Sequence, residues 1–257
     1  MGTKKTVAII PARMAASRFP GKPLKKILEL PLIEHVRRRV LLCDVVSEVY
    51  VATCDKEIRD AVESCGGKVI MTSASHERCT DRIEEASAML DADIIVNVQG
   101  DEPLILPDMI KDLIKPFYEK DDIMAACLIY PILQLEDLDD LNTVKAVLGQ
   151  DNFVLYFSRS AIPNFKRGEK PCLFEQSGVM AYEKKFLHKY SKLSQTPLER
   201  AESVDMLRIL EHGYKIYGVI TDNITIEVDI PEHIAKVENA IMTDKTQKAF
   251  YEKILAI

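Results

Sequence analysis

The sequence predicts an α/β fold with a mostly parallel central sheet, and three observations support this prediction. Apolar segments rich in β-branched residues alternate with segments of helical periodicity, which is typical of βαβ units. The first apolar segment ends in a basic loop, at the place where open α/β sheets bind ligands. The chain has 257 residues, of which 47% are hydrophobic, so it can bury a large core. We expect a single domain over 1–257, with a smaller insertion at about 134–200 where the alternation is lost.

Local patterns predict the individual elements. Pro31 suits the first turn of a helix, Gly213 suits the position just after one, and 149–152 supplies the turn residues of a hairpin. Thr80 is expected to cap the helix at 83–90. Strands are expected at 7–10, 48–53, 68–71, 93–98, 123–130, 143–148, 153–159, 174–182 and 215–220. Helices are expected at 32–42, 56–64, 83–90, 107–119 and 202–212, with one more beginning at Pro231.

Charge and cysteine usage exclude several classes of protein. The net charge is −6, so a nucleotide site must be a local basic patch, and nonspecific nucleic-acid binding is not expected. The six cysteines are scattered without a CxxC pair and the five histidines without metal spacing, which indicates reduced thiols and no zinc site. The start of the chain does not resemble a signal peptide, and no apolar run approaches the roughly 20 residues of a membrane span. We therefore expect a cytoplasmic protein without membrane contact.

The basic loop at residues 12–24, here called the cationic loop, is the first candidate for a binding site. It places Arg13, Arg18 and Lys22 among Ala, Ser, Gly and Pro residues directly after the first strand. Backbone amides and cations in such a loop suit a polyphosphate. The alternative is an ordinary solvated loop. Three cations fixed between two prolines favour anion binding.

A carboxylate follows the strand at 93–98 and is the first candidate for a metal ligand. Asp101 comes directly after Gly100, which permits close approach of the backbone. Mg²⁺ prefers one or two carboxylates together with water and substrate phosphate oxygens. The alternative is that the aspartate caps the helix at 107–119, a role that fits Asp108 better than Asp101.

The strings IPARMAASRFPGKPL at 10–24 and VNVQGDEPLI at 96–105 closely resemble the cytidylyltransferases that activate 3-deoxy-manno-octulosonate. The resemblance implies a three-layer α/β/α fold of the nucleotide-diphosphosugar-transferase type. It implies transfer of CMP from CTP to an anionic acceptor, in lipopolysaccharide biosynthesis, with release of pyrophosphate. The favoured acceptor is 3-deoxy-manno-octulosonate or a related 2-keto sugar acid. The resemblance also implies Mg²⁺ as cofactor and a homodimer. A Rossmann dehydrogenase is disfavoured because no GxGxxG follows the first strand.

The resemblance assigns roles to individual residues of the nucleotide and metal sites. Asp229, in a segment that resembles the Val-Asp-Thr-Pro-Glu-Asp of the family, becomes the second metal ligand beside Asp101. Without the resemblance, a capping role for Asp229 before the helix at Pro231 is equally good. The catalytic candidates are Arg13, Lys22 and Asp101. The nucleotide-binding candidates are Pro11, Ala12, Arg13, Arg18, Lys22, Thr80, Arg82, Gln99 and Asp101. Thr80, Asp81 and Arg82 match a Gly-Thr-Asp-Arg segment of the family, and Cys79 stands in place of its Gly. The alternative is that these residues only form the start of a capped surface helix.

The acceptor-binding candidates include three departures from the family pattern. Gln176 stands in place of a His, Met180 in place of a Tyr, and Arg200 in place of a Gln. Arg159 and Glu199 match the family and complete this set. Because buried polar partners discriminate strongly between substrates, we hypothesise an acceptor other than plain 3-deoxy-manno-octulosonate, such as its 8-amino analogue or a small phosphonate of the phosphonoformate kind. A further alternative is a catalytically silent relative that only binds nucleotide.

Overall fold

The structure is a computed structural model, and it describes residues 4–15, 18–76, 78–165, 167–169 and 171–257. Ala16 and Ser17, which belong to the predicted cationic loop, lie outside the described residues. The chain divides into two compact units. The first contains the residues up to Lys111 together with Thr225–Ile257, and the second contains Asp112–Ile224. The insertion expected at 134–200 lies inside the second unit.

Strands and helices alternate along the first half of the chain, as the sequence predicts. The strands are β1 (Thr6–Pro11), β2 (Lys26–Ile27), β3 (Leu30–Pro31), β4 (Glu48–Thr53), β5 (Lys68–Met71), β6 (Ile94–Asn97), β7 (Ala125–Pro131), β8 (Lys145–Leu148), β9 (Val154–Ser158), β10 (Phe174–Glu183) and β11 (Tyr217–Ile220). The helices are α1 (Leu32–Leu41), α2 (Lys56–Ser64), α3 (Cys79–Ala88), α4 (Pro107–Ile114), α5 (Pro116–Glu119), α6 (Lys184–Ser191), α7 (Pro197–Glu202), α8 (Met206–Glu211), α9 (Glu232–Thr243) and α10 (Lys245–Leu255). Single turns of 3₁₀-helix lie at Lys22–Leu24 and Leu135–Leu138.

The sheet of the first unit has the strand order β6-β1-β4-β5, and all three pairings are parallel. Every residue of β1 is buried, which explains why this strand is a continuous apolar run instead of an alternating pattern. Because the strands are parallel, their carboxyl ends meet at one edge of the sheet. The loops after β1, β4 and β6 therefore emerge side by side, and these loops carry most of the candidate nucleotide and metal residues.

The chain returns to the first unit through α9 and α10, and α10 packs against α1. His35 of α1 stacks on Tyr251 of α10, with ring centroids 5.6 Å apart, and Arg38 donates to the carbonyl of Ile254 at 2.9 Å. Glu34 is fully buried and accepts two hydrogen bonds from Arg37. The sequence predicts only one helix here, beginning at Pro231, whereas α9 begins at Glu232 and α10 follows it.

The second unit contains a mixed sheet. In it, β7 pairs in parallel with β11 and antiparallel with β10, while β10 and β9 both pair antiparallel with β8. The β8–β9 pairing confirms the hairpin that the sequence predicts over 143–159. Within the described residues, no helix combines the length and hydropathy that a membrane span needs.

Among the predicted helices, three differ most from the structure in their bounds. The helix expected at 107–119 is divided into α4 and α5, because Pro116 has no N–H to donate to the preceding turn. The helix expected at 202–212 begins at Met206, since Ser203 adopts a left-handed conformation with φ of 52° that ends α7. The helix expected at 83–90 begins at Cys79, so Thr80 lies inside its first turn and does not cap it.

Candidate active site

The cationic loop leaves the end of β1 and is tied to the sheet at its start. The N–H of Ala12 donates to the carbonyl of Ala52 at 3.0 Å, and the N–H of Gly21 donates to the carbonyl of Met14 at 3.0 Å. Gly21 has φ of 71°, a left-handed conformation that glycine adopts without steric strain. It directly precedes the 3₁₀ turn that begins at Lys22. The loop is thus closed on itself just before its last cation.

Lys22 joins the two candidate metal ligands. Its ammonium nitrogen lies 2.7 Å from Asp101 Oδ2 and 3.7 Å from Asp229 Oδ1. Arg18 Nη2 lies 3.0 Å from the same Asp229 oxygen. Lys22 is 79 positions from Asp101, and Arg18 is 211 positions from Asp229. The structure therefore brings together two cations and both carboxylates that the sequence singles out. Because Asp101 Oδ2 and Asp229 Oδ1 both lie near the Lys22 nitrogen, the distance between these two oxygens cannot exceed the sum of their distances to it.

Backbone contacts hold the two carboxylates in place. The N–H of Val228 donates to the carbonyl of Asp101 at 2.9 Å, which fixes the loop after β6 against the segment before α9. A Cβ atom at Gly100 would lie 2.8 Å from the carbonyl oxygen of Pro11, closer than such atoms approach. Gly100 is thus required for the loop of Asp101 to pass the end of β1. His233 Nδ1 lies 2.8 Å from the carbonyl of Glu227, in the turn that carries Asp229.

Further carboxylates that no sequence motif indicates lie near this pair. Shielding of the carboxyl group by protein atoms raises the pKa of Glu227 well above its usual range, although part of its side chain is exposed. Repulsion from Glu102, Asp101 and Asp229 acts in the same direction. Glu227 is two residues from Asp229 in a segment without regular secondary structure, so no periodic pattern in the sequence indicates that the two carboxylates lie close together. The site has an excess of negative charge that a cation would offset.

The donor set fits a hard divalent cation such as Mg²⁺. Both carboxylates already contact one cation, the Lys22 ammonium, and both supply oxygen ligands. Among the described residues, no three or more His, Cys, Asp or Glu side chains are arranged to hold a metal ion by themselves. Two carboxylates without a complete protein cage are the usual provision for Mg²⁺, which takes its remaining ligands from water and substrate phosphates.

The other nucleotide-binding candidates differ in how accessible they are. Arg13 is exposed at the start of the cationic loop, next to the buried Pro11 and Ala12. Arg82 and Thr80 are buried in α3, and Arg82 donates to the hydroxyl of Thr72. Gln99 is half-buried after β6, and its amide nitrogen lies 3.4 Å from Cys79 Sγ. Arg82 therefore has a structural contact within the first unit in addition to its predicted role.

In the second unit, Arg159 is engaged with main-chain carbonyls. Its guanidinium donates to the carbonyls of Glu202 at 2.8 Å, Leu141 at 2.8 Å and Ser203 at 3.3 Å. The Glu202 carboxylate in turn accepts from the N–H of Arg159 at 2.9 Å. Arg159 thus joins the segment before β8 to the end of α7, a structural task beside the predicted contact with the acceptor.

Glu199 and Arg200 are neighbours in α7 with opposite environments. Glu199 is fully buried and accepts two hydrogen bonds from Arg208, at 2.8 Å and 2.5 Å. Its Oε2 also accepts from the N–H of Thr196, the N-cap residue of α7, at 3.2 Å. Arg200 is exposed. The match of Glu199 to the family therefore has a structural explanation, whereas the exposed Arg200 is available to a ligand.

Gln176 and Met180 meet on β10, on either side of an irregularity in its pairing with β7. Met180 is 2% exposed, and its sulfur accepts from the hydroxyl of Tyr182 at 3.2 Å. The amide nitrogen of Gln176 lies 3.9 Å from the same sulfur. The two departures from the family pattern thus form one contact, and Gln176 is the more accessible member.

Comparisons with known proteins identify the family. A family model described as Cytidylyltransferase matches residues 7–216. The 3-deoxy-manno-octulosonate cytidylyltransferase of Geotalea daltonii is 45% identical over 244 residues, which are 91% of this chain and 96% of that protein. The 8-amino-3,8-dideoxy-manno-octulosonate cytidylyltransferase of Shewanella amazonensis is 42% identical over 240 residues, covering 92% of this chain and 98% of that protein.

Solved structures give the same result. The structure of CMP:2-keto-3-deoxy-manno-octonic acid synthetase complexed with CTP has a TM-score of 0.89 and 38% identity, and the match covers 93% of this chain and 99% of that one. A cytidylyltransferase from Leptospira borgpetersenii, at 16% identity and a TM-score of 0.66 over 98% of this chain and 93% of that one, shares the fold. These matches confirm the predicted α/β fold class and the resemblance seen in the sequence, and the chain belongs to the 3-deoxy-manno-octulosonate cytidylyltransferase family.

Proposed function

We propose that the chain is a CTP-dependent cytidylyltransferase that transfers CMP from CTP to 3-deoxy-manno-octulosonate or a closely related 2-keto sugar acid and releases pyrophosphate. The observation that carries this proposal is the contact of Lys22 with both Asp101 and Asp229. This contact places the proposed triphosphate-binding loop next to the two proposed metal ligands. The names of the relatives in Geotalea and Shewanella support the same class of acceptor.

The cations of the loop act on the triphosphate. Arg13, Arg18 and Lys22 bind its phosphate oxygens and neutralise the charge that develops on pyrophosphate as it leaves. An oxygen of the acceptor attacks the α-phosphorus in line, and the bond from that phosphorus to the β-phosphate oxygen breaks. The reaction needs no covalent enzyme intermediate, because positioning and charge neutralisation suffice for such a transfer.

Asp101 and Asp229 would hold Mg²⁺ beside the triphosphate. When bound, Mg²⁺ would supply charge neutralisation at the phosphates and activate the attacking oxygen. Lys22 then has two groups of partners, the carboxylates in the free protein and the phosphates in the complex. Before nucleotide arrives, its ammonium attracts both carboxylates and so offsets the repulsion between them.

The acceptor depends on the second unit, where we propose that Gln176, Met180 and Arg200 contribute to its recognition together with Arg159. The departures at the first three positions support a modified acceptor. Relatives named for plain and for 8-amino octulosonate are 45% and 42% identical, so overall similarity does not choose between them. A small phosphonate is the alternative acceptor, because the exposed cation of Arg200 suits a second anionic group.

The assay is Mg²⁺-dependent release of pyrophosphate from CTP in the presence of each acceptor in turn. We expect turnover with 3-deoxy-manno-octulosonate or its 8-amino analogue and little with phosphonoformate. Efficient use of the plain sugar acid removes the idea of a modified acceptor. If CTP binds but no acceptor of either class supports turnover, the chain is the catalytically silent relative and the proposal is wrong.

We also propose a homodimer, as the family resemblance implies. Large apolar side chains in the second unit support a surface for it, since Leu141 and Leu155 are 65% and 62% exposed. Light scattering should give twice the chain mass of 29.1 kDa. A monomer at micromolar concentration contradicts this part of the proposal and leaves the activity untouched.

A further inference from the structure

Asp55 lies at the junction of β4 and α2, and its carboxylate contacts the cationic loop. Asp55 Oδ2 accepts a hydrogen bond of 2.7 Å from the backbone N–H of Met14, 41 positions earlier in the sequence. Asp55 is itself fixed, because its own N–H donates to Thr53 Oγ1 at 3.1 Å. Thr53 is fully buried at the end of β4. The contact therefore runs from a rigid part of the sheet to the loop.

The side chain makes this contact in place of the one that its position favours. Asp55 is the N-cap residue of α2, where an aspartate usually accepts from an amide of the first turn and stabilises the helix. Within α2, all of which the structure describes, no amide donates to this side chain. The local sequence alone predicts that the carboxylate binds an amide of α2. In the structure it binds the amide of Met14 instead.

Met14 connects this contact to Lys22. Its N–H is bound by Asp55, and its carbonyl accepts from the N–H of Gly21 at 3.0 Å. Gly21 directly precedes Lys22, whose N–H donates to the carbonyl of Phe19 at 3.1 Å. A short series of hydrogen bonds thus leads from Asp55 to the lysine that reaches Asp101 and Asp229.

We propose that Asp55 is a positioning residue for the cationic loop: its carboxylate fixes the Met14 amide and thereby places Lys22 for the triphosphate. The proposal rests on the function proposed above and names a residue that acts on CTP only through the loop. Asp55 touches neither the nucleotide nor the acceptor in this account. Its loss should weaken CTP binding more than it slows turnover at saturation.

Three substitutions separate this role from helix capping. Asp55→Asn keeps an oxygen that can accept from Met14 and remains a good N-cap. Asp55→Ser keeps a capping hydroxyl, but its shorter side chain does not extend to Met14. Asp55→Ala removes both the acceptor for the Met14 amide and any side chain that could cap α2. Asp60→Ala is the matched control, because Asp60 is an exposed carboxylate on the same helix, paired with Arg59.

We expect the KM for CTP to rise about tenfold in the Ser and Ala variants, the scale of one lost hydrogen bond, with a smaller change in kcat. The Asn variant and the Asp60→Ala control should stay near the wild-type protein. Thermal unfolding of the Ser variant should also match the wild type. If the Ser variant has the wild-type KM and only the Ala variant is altered, Asp55 is merely a helix cap and the proposal is overturned.

A second measurement does not depend on turnover. Trypsin cleaves after arginine, and Arg13 and Arg18 of the cationic loop are both exposed. Cleavage there should be several times faster in the Ser and Ala variants than in the wild-type and Asn proteins. Equal cleavage in all of these proteins overturns the role of Asp55 even if CTP is turned over. The wild type could also fail to turn over CTP while the Ser and Ala variants are still cleaved faster than the wild-type and Asn proteins. That result overturns the proposed function and leaves the role of Asp55 intact.

Discussion

The two compact units place their candidate site residues in different surroundings. In the first unit, Lys22 contacts Asp101 and Asp229, so candidate residues are partners of one another. In the second unit, Glu199 is bound by Arg208 and the guanidinium of Arg159 by main-chain carbonyls. These partners are not candidates for binding a ligand.

This difference bears on how a family match should be interpreted. Charged groups of opposite sign that meet only each other at a sheet edge can exchange partners when a charged ligand arrives. A carboxylate whose two oxygens are both bound in the interior cannot do so without leaving a buried charge unpaired. We therefore expect the first group of residues to affect catalysis and Glu199 to affect stability.

The largest effect is expected for Asp101→Asn. The amide keeps the size of the side chain but removes the charge that would bind Mg²⁺, so kcat should fall about a thousandfold, the scale of one essential electrostatic contact. Pyrophosphate release measures this loss, and the thermal transition should be unchanged. Asp108→Asn is the control, since Asp108 is an exposed carboxylate in α4. Equal activity of the two variants would remove Asp101 from the site.

Glu199→Gln should destabilise the protein by about 3 kcal/mol, because it removes the carboxylate charge that binds the buried guanidinium of Arg208. Urea unfolding measures this value. The double variant Glu199→Gln with Arg208→Met should recover part of it, since no unpaired charge then remains. An altered KM for the acceptor at unchanged stability would contradict this account and make Glu199 a ligand-binding residue.

Lys22 and Arg18 should differ in the size of their effects. The Lys22 side chain is 14% exposed and contacts both carboxylates, whereas that of Arg18 is 56% exposed and contacts one. Lys22→Met should lower kcat/KM for CTP about a hundredfold and Arg18→Met about tenfold. The reason is that water screens the charge of the more buried Lys22 less, so its attraction to the phosphates is stronger. The reverse order would show that the contacts of the free protein do not predict those of the complex.

The smallest effect is expected for Arg200→Gln, which installs the residue of the family pattern. Arg200 is exposed, so unfolding should change by less than about 0.5 kcal/mol. The KM for the acceptor should change severalfold, with the KM for CTP constant. A constant acceptor KM would remove Arg200 from the acceptor site and weaken the argument for a modified substrate.

The sequence predicts the first unit better than the second, for physical reasons. Alternating apolar and helical patterns predict the bounds of β4, α2 and β5 correctly because these elements are regular and end at clear turn residues. The meeting of Lys22 with Asp101 and Asp229 was predictable from the family motifs, since parallel strands deliver their loops to one edge.

Other features depend on tertiary contacts that no local pattern contains. The turn of the Asp55 side chain away from α2 is an example, because its sequence position predicts an ordinary cap. The pairing of Glu199 with Arg208 is another, since a match to a family motif does not reveal whether a residue binds ligand or supports the fold. The break between α7 and α8 is a third, because Ser203 adopts a left-handed conformation that is rare for serine and that the sequence does not predict.

The central claim is that Asp101, Asp229 and the cationic loop form one site for a nucleotide and its divalent ion. A crystal structure of the protein with CTP and Mn²⁺ tests it most directly, because the anomalous signal of Mn²⁺ locates the ion independently of the refined model. We expect one peak coordinated by both carboxylates and by phosphate oxygens, with Lys22 turned to the triphosphate. A peak bound to neither carboxylate, or CTP bound away from residues 12–24, would contradict the account.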